Sequence, residues 1–473
     1  APKFGQMGGI AYIKKVVSDI IAHRGKENCL FLDSGDTWQG TGVALKSNGE
    51  AIVEAQNYLG IEVMTPQWEF TYGKEQVTNL IDKLDADFIA QNVFDNDPFS
   101  DTFEERIFKP YTMKTVGGAK LAIIGQAFPF TPTANPARFT EGWSFGVRNM
   151  ELQTLIDEIR DKEQPDCVIL LSHDGFSVDQ ELARRVTGLD FILSGHTHDP
   201  APKPITINGT VIIISGSHGK YVGRLDIDIK NKKVKGYEFK LIPIASKLIE
   251  ADKDGVALVD KLYAPYADEM NKTLGKSKSI LYKRDTFYST FDALIGRSIR
   301  DRMDSEISFT PGYRWGTTIL PGEGITMEHI YDMTAITYPE VYTFDLGGER
   351  IAQLLEDIAD NVFNEDPMLQ QGGDMSRLDG ISYDITIGAQ TGKRITNIKV
   401  NDKPLDLKKK YKISAWGGNL QNAGENLQKS KIMPVYDIVA QYVQKMGTVD
   451  IPLKSNVNIK DIACGCPNKI LGC

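Results

Sequence analysis

The chain is 473 residues long, with 41% hydrophobic and 25% charged residues and a formal net charge of -9. At roughly 150 residues per domain this length calls for two or three cores, and the ordinary composition excludes a disordered or fibrous chain. The acidic balance gives no electrostatic reason to expect nucleic acid or an anionic membrane as partner, so an anionic substrate would need basic residues placed locally.

Gly8 to Ala22 carries Ile10, Ile13, Val16, Val17, Ile20 and Ile21 at helical spacing and predicts an amphipathic helix. Cys29-Leu-Phe-Leu32 predicts a short buried strand, ending in the glycine-punctuated loop Asp33 to Gly40. The same grammar recurs at Phe88 to Asn92, Leu121 to Gly125, Cys167 to His173 and Phe191 to Gly195, with helical segments Gln76 to Leu84 and Leu152 to Arg160 between. Strand, polar loop, helix, strand is the pattern of a layered α/β domain. Thr210 to Ile214 and Tyr221 to Ile229 are more β-rich and lead to Leu241-Ile-Pro-Ile244. From Ala245 to Thr273 the chain is charged and helical, with Pro265 inside, and reads as a connector. After Leu281 a second α/β region runs to about Ile462. No apolar run approaches the roughly 18 residues that span a bilayer. Cys29 and Cys167 sit in apolar runs and read as small buried hydrophobes, while Cys464, Cys466 and Cys473 crowd a tail whose spacing matches no strong zinc pattern.

The polar residues just beyond the predicted strands of the first half are Asp36, Gln67 and Trp68, His173, and His196 with His198. Ligands of open α/β sheets bind beyond the C-terminal ends of strands. Only six histidines occur in the chain, and three of them fall at such positions. A carboxylate able to bridge, an amide oxygen and imidazoles form a mixed oxygen and nitrogen donor set, which suits manganese, iron or zinc. Two such ions about 3.5 to 4 Å apart would stabilise the attacking and leaving groups of an in-line displacement. In the second half Arg314 follows Pro311-Gly312 and Arg377 follows Gly372-Gly373-Asp374, and a planar guanidinium suits the paired oxygens of a sulfonate or phosphate. Tyr313 and Trp315 beside Arg314 could stack on a nucleobase.

The order Gly-Asp, a short polar signature, His, then Gly-His-x-His resembles the calcineurin-like metallophosphoesterases, and the second domain resembles the C-terminal domain of their 5′-nucleotidase branch. Within that branch Gly35-Asp-Thr-Trp-Gln-Gly40, Trp68-Glu-Phe-Thr-Tyr-Gly73, Gly125-Gln-Ala-Phe-Pro129, Gly195-His-Thr-His-Asp199, Thr310-Pro-Gly-Tyr-Arg-Trp-Gly316 and Gln371-Gly-Gly-Asp-Met-Ser-Arg377 resemble the SoxB thiosulfohydrolases. The resemblance implies an α/β chain: a layered αββα metal-binding domain over 1–245, a helical linker over 246–275, a 5′-nucleotidase-like substrate-binding domain over 276–463 and a tail over 464–473. It makes Asp36 a bridging ligand, places Gln67, His173 and His196 on one metal and gives His198 to the other. It assigns Trp68, Tyr313, Arg314, Asp374 and Arg377 to substrate, with Asp36, Trp68 and Arg314 as the catalytic set.

Two departures stand out. Gly5-Gln-Met-Gly-Gly9 resembles a point well inside the SoxB domain, so the strand carrying a D-x-H ligand pair is expected to be missing from this sequence. Pro66-Gln67 stands where the family pattern carries Gly-His before the tryptophan, and a glutamine carbonyl is a longer and weaker ligand than imidazole. Where nucleotidases have Asn-His, with the histidine helping the leaving oxygen, this chain has Gln67-Trp68. A basic alkoxide gains from such help, whereas a cysteine thiolate, with a parent pKa of about 8.5, leaves without a general acid. The resemblance therefore implies a periplasmic hydrolase with two manganese ions, acting on a cysteine S-thiosulfonate carried by a SoxYZ-type partner with a swinging arm, with no nucleic acid and no membrane as partner. The alternatives are a 5′-nucleotidase or other phosphoesterase, and a metal-poor fragment that binds the carrier without turnover.

Overall fold

The computed structural model describes residues 5–371, 373–417, 424–429 and 433–461. Gly372 and the cysteine-bearing tail, with Cys464, Cys466 and Cys473, lie outside the described residues. The fold is mixed α/β and divides into two compact units, the first running to Ala267 and the second taking Gly40–Gly42 and the chain from Asp268 onward.

In the first unit the predicted helix forms as Ile10–Arg24. The strand expected at Cys29 to Leu32 is shorter and later, at Leu32–Asp33, because Lys26–Asn28 closes a single 3₁₀ turn just before it. It pairs in parallel with Val63–Met64, which pairs in parallel with Asp87–Phe88. A six-stranded sheet follows in the order Ile205–Ile207, Thr210–Ile214, Phe191–Ser194, Cys167–Ser172, Ala119–Gln126, Tyr111–Val116. Its four inner strands are parallel and its two edges antiparallel. Cys167–Ser172 is buried at every residue, which explains why it reads as a continuous apolar run rather than an alternating one. The hairpin of Tyr221–Lys230 and Lys233–Pro243 lays Leu225, Ile227, Ile229 and Phe239 against a core of Val63, Ile89, Ile123, Ile169, Phe191 and Ile213. Cys167 is buried in that core and Cys29 is half-buried.

The segment expected as a linker is not free-standing. Asp252 caps the helix Lys253–Tyr263 by accepting the Gly255 N–H at 2.8 Å, and its own N–H bonds the Ala11 carbonyl at 3.1 Å. A Cβ on Gly255 would stand 3.0 Å from the Ala11 Cα, so the glycine is what lets this helix seat on the first one. The connector thus belongs to the first unit as far as Ala267.

The second unit carries a five-stranded sheet in the order Arg377–Asp379, Ile307–Thr310, Lys410–Trp416, Val341–Gly347, Glu425–Lys429, and a four-stranded sheet of Lys403–Pro404, Ile395–Val400, Ile381–Ile385 and Val457–Ile459. Its core gathers Ile307, Phe309, Phe344, Ile351, Leu355, Tyr383 and Ile413. Helix Thr290–Met303 starts at Ser289, whose hydroxyl accepts the Asp292 N–H at 3.2 Å. Among the described residues no helix is long and apolar enough to cross a membrane.

Candidate metal centre

Four strand ends converge. Ser172 and Ser194 are register partners in neighbouring parallel strands, so His173 and the Gly195-His-Thr-His198 turn leave the sheet side by side. Leu32–Asp33 and Val63–Met64 are likewise in parallel register and deliver Asp36 and Gln67 from their C-terminal ends. Asp33 shapes the first of these loops: its carboxylate accepts the Gly35 N–H at 3.0 Å, the Thr37 hydroxyl at 2.6 Å and the Gln56 amide at 2.8 Å. Gly35 has φ 88°, and a Cβ there would fall 2.2 Å from the Thr65 carbonyl oxygen and 3.1 Å from His173 Nδ1, so no larger residue fits between the two loops. Asp36, His196 and His198 all occupy the left-handed region, at φ 64°, 61° and 65°. Such conformations cost non-glycine residues on the order of 1 kcal/mol or more and gather at functional sites.

One carboxylate oxygen stands between two imidazoles: Asp36 Oδ2 is 3.1 Å from His173 Nε2 and 3.2 Å from His198 Nε2. Asp36 Oδ1 accepts the Trp68 backbone N–H at 3.3 Å. His196 Nδ1 lies 2.9 Å from Gln67 Oε1, and candidate ligand atoms of Asp36, His173 and His196 all fall within 4.8 Å of one another. His173 and Gln67 are 1% and 2% exposed, so their polar atoms have no recourse to bulk water.

These residues fit a divalent ion. His173 Nδ1 faces the Ser34 carbonyl, which can only accept, so the neutral ring carries its proton there and directs a lone pair from Nε2 at the Asp36 carboxylate. Two acceptors at that separation require a proton or a cation between them. The separations of 2.9, 3.1 and 3.2 Å match the edge of roughly 3.0 Å expected when two donors about 2.1 Å from one ion subtend a right angle. Without an ion the proton takes that place. Burial pushes the Asp36 carboxyl up, but His173 and His198 outweigh it and hold the group well below the usual carboxylate range. Burial lowers the His173 imidazole while Asp36 raises it, with a net upward shift.

Several contributors were not singled out from sequence. Glu69, fully buried, accepts the backbone N–H groups of Gln67 and Thr37 at 2.7 Å and of Asp36 and Trp38 at 3.3 Å, tying the two ligand loops together. A carboxylate inside the run Trp68-Glu-Phe-Thr-Tyr72 was the available signal, since a buried charge needs partners. Phe128 stacks on His196 with centroids 4.4 Å apart, and the His218 ring lies 5.6 Å from that of His198.

In the second unit several residues of the expected substrate set are engaged with other parts of the protein. Arg377 is 3% exposed, and all its N–H groups are committed: Nε to Asp292 Oδ2 at 3.1 Å, Nη1 to the Thr286 and Met375 carbonyls at 2.6 and 2.8 Å, Nη2 to the Asp285 carbonyl and to Asp374 Oδ2 at 3.1 Å. It braces loops rather than presenting a fork to a ligand, and it occupies one oxygen of Asp374. Tyr313 and Trp315 stack on each other, with centroids 4.3 Å apart and planes 15° apart. Lys283, 3% exposed, sits beside this pair with its ammonium 5.5 and 5.1 Å from the two centroids, and donates to the Met333 carbonyl at 2.8 Å. Arg314, on the same turn, is partly buried.

Fold and donor set together define a metal-dependent hydrolase of the two-domain 5′-nucleotidase type. A family model described as the 5′-nucleotidase C-terminal domain matches residues 274–431. The chain is 23% identical to protein UshA of Yersinia enterocolitica over 93% of this chain and 88% of that protein. It is 25% identical to the trifunctional nucleotide phosphoesterase protein YfkN of Bacillus subtilis, of whose length it spans 28%. Among solved structures, the sulfate thiohydrolase SoxB of Thermus thermophilus in complex with glycerol matches at TM-score 0.93 and 38% identity, covering 98% of this chain and 84% of that one. A 5′-nucleotidase precursor from the same organism matches at TM-score 0.83 but 21% identity, a likeness of fold alone. The chain belongs to the SoxB family, within the 5′-nucleotidase branch of the metallophosphoesterases, whose members are dinuclear-metal hydrolases.

Proposed function

We propose that the protein is a periplasmic thiosulfohydrolase that releases sulfate from a cysteine S-thiosulfonate on a SoxYZ-type carrier, with a manganese pair as cofactor. The observation that carries the reading is Trp68 beside the metal centre, its backbone N–H on Asp36. An indole offers one N–H donor and no group that protonates a departing alkoxide, so the site suits a leaving group that needs no acid.

In the net reaction one water adds to the sulfonate sulfur and the sulfur–sulfur bond breaks. Its electron pair stays with the outer sulfur on the carrier, which takes one proton of the water and remains as a persulfide, while sulfate and the other proton depart. Asp36, Gln67, His173, His196 and His198 would hold the ions, which when bound supply Lewis acidity and an activated water. Glu69 and Asp33 keep the two ligand loops in place, and Trp68 bounds the site and limits water. Arg314 is proposed as the clamp on the sulfonate oxygens.

The test compares sulfate release from carrier-bound thiosulfonate with phosphate release from nucleoside monophosphates by the manganese-loaded protein. The reading expects kcat/KM to favour the first by about a hundredfold or more, some 2.7 kcal/mol of discrimination. Comparable turnover of both would transfer the protein to the phosphoesterases.

A further inference from the structure

The segment Gly125-Gln-Ala-Phe-Pro129 closes the strand Ala119–Gln126 and supplies no ligand, yet its residues are committed around the metal centre. Gly125 presses on the backbone at Ile89: a Cβ there would stand 2.2 Å from the Ile89 carbonyl oxygen. Gln126 is fully buried and makes four bonds. Its carbonyl accepts the His173 N–H at 2.8 Å, its amide donates to Asp174 Oδ2 at 2.9 Å and to the Val147 carbonyl at 3.0 Å, and its Oε1 accepts from Gln91 at 2.7 Å. Ala127 is pinned through both backbone groups by the Asn92 side chain, at 2.8 and 2.7 Å. Phe128, 1% exposed, lies on the His196 imidazole at 4.4 Å with planes 22° apart, and Phe130 packs edge-on against it at 5.8 Å.

We propose that this segment is a template for the two histidines, and that Phe128 is a positioning residue of the metal centre that fixes the plane of His196. The inference rests on reading Asp36, Gln67, His173 and His196 as metal ligands. His196 sits in a turn at φ 61°, and its ring must hold Nδ1 within reach of Gln67 Oε1 at 2.9 Å. A flat ring against one imidazole face leaves the in-plane lone pair free while forbidding tilt. An aliphatic side chain of similar volume would fill the space and permit it. Gln126 acts on the other histidine, fixing the backbone at His173 and the carboxylate that follows it. The donors in this layer are neutral amides, with the Asp174 carboxyl as their one ionisable acceptor.

The experiment is a Co2+ titration of the wild-type chain and of Phe128→Leu, Phe128→Tyr and Phe88→Leu, with the visible absorption of bound Co2+ as a reporter of ligand geometry. Phe88 is a matched control, 7% exposed and packed in an aromatic cluster on a strand that carries no ligand. The proposal expects Phe128→Leu to bind Co2+ about three- to tenfold more weakly, the scale of an aromatic contact, with altered absorption. Phe128→Tyr keeps the face, and Phe88→Leu loses only core packing; both should retain wild-type affinity and spectrum. Unchanged affinity and spectrum in Phe128→Leu, or equal losses in Phe88→Leu, would overturn it. Should Phe128→Leu fail to fold, a folded Phe128→Tyr with weakened binding would overturn it as well. A wild-type chain that binds no Co2+ would instead remove the metal reading itself, and the inference with it.

Discussion

Arg377 offers the sharpest contrast between what a motif suggests and what packing decides. Its guanidinium is the only cation within hydrogen-bonding distance of Asp374 among the described contacts, and it also bonds Asp292, whose side chain is 1% exposed. Arg377→Met would leave both carboxylates and three loop carbonyls without these donors. Asp292 would keep the Ser289 hydroxyl at 2.6 Å and the more distant Lys283 at 3.8 Å, which limits the damage. Removing one partner of a buried ion pair typically costs about 3–5 kcal/mol. For a unit of this size that corresponds to a melting temperature lower by roughly 6–20 °C. Arg377→Lys, with three donors on a single point, is expected to fall between. The assay is scanning calorimetry alongside sulfate-release kinetics on whatever fraction remains folded. A variant that melts within about 2 °C of wild type yet shows a raised KM would refute the structural role and return Arg377 to the substrate.

Three further outcomes are expected. Arg314→Lys should lose roughly ten- to hundredfold in kcat/KM for sulfate release at unchanged metal content, about 1.5–3 kcal/mol, since an ammonium cannot reproduce a bidentate fork; an unaltered rate would remove Arg314 from the site. Because the His173 pKa lies above its ordinary 6.5 in the metal-free chain, its contribution to stability is full below that value and is lost as pH rises through the folded one. Metal binding near neutrality should therefore release a proton, and calorimetry in buffers of different ionisation enthalpy that finds no proton release would contradict this assignment. Burial pushes the Lys283 ammonium down to about 8 from 10.5, against the pull of Asp292. The folded state then holds its proton less firmly than the unfolded one, so the stability of wild type relative to Lys283→Met should rise by about 2–4 kcal/mol between pH 8 and 10.5 in urea unfolding, and a flat difference would refute it.

The ligand loops were legible because parallel strands buried on both faces leave continuous apolar runs, and whatever polar residue ends such a run stands at the sheet's C-terminal edge. Cys167 to Ser172 followed by His173, and Phe191 to Ser194 followed by Gly195 and His196, are the clearest cases. The helix Ile10–Arg24 was legible from its period. The seating of the connector was not legible, because the contacts that hold it are a cap at Asp252 and a glycine at 255, neither of which alters hydrophobic periodicity. Glu69 and Gln126 lay inside recognisable strings, but their roles were not legible for a related reason. Glu69 works on backbone N–H groups up to 33 positions away and Gln126 on the Asp174 carboxyl 48 positions away, and partners so distant in sequence leave no local pattern. Arg377 and the Tyr313–Trp315 pair show the opposite limit of residue type. Residue type fitted ligand binding, and only the partners in space reveal that their donors and faces are already taken.

The left-handed turns at Asp36, His196 and His198 connect these points. An extended chain leaving a parallel sheet would carry successive residues away at about 3.3 Å each, and the donors would diverge. A residue at positive φ reverses the chain within one step, which keeps each loop over the strand end from which it came. That conformation is costly for a residue with a Cβ, so it persists only where surrounding contacts over-determine it. Here they do: Gly35 closes against Thr65, Glu69 gathers four amides from both ligand loops, and Gly195 N–H bonds the Ser172 carbonyl at 2.8 Å. The donors are thus held about 3 Å apart by backbone contacts that do not depend on an ion. A site built this way requires little reorganisation when charge changes within it, which is the condition for electrostatic stabilisation of a transition state rather than of the bound substrate.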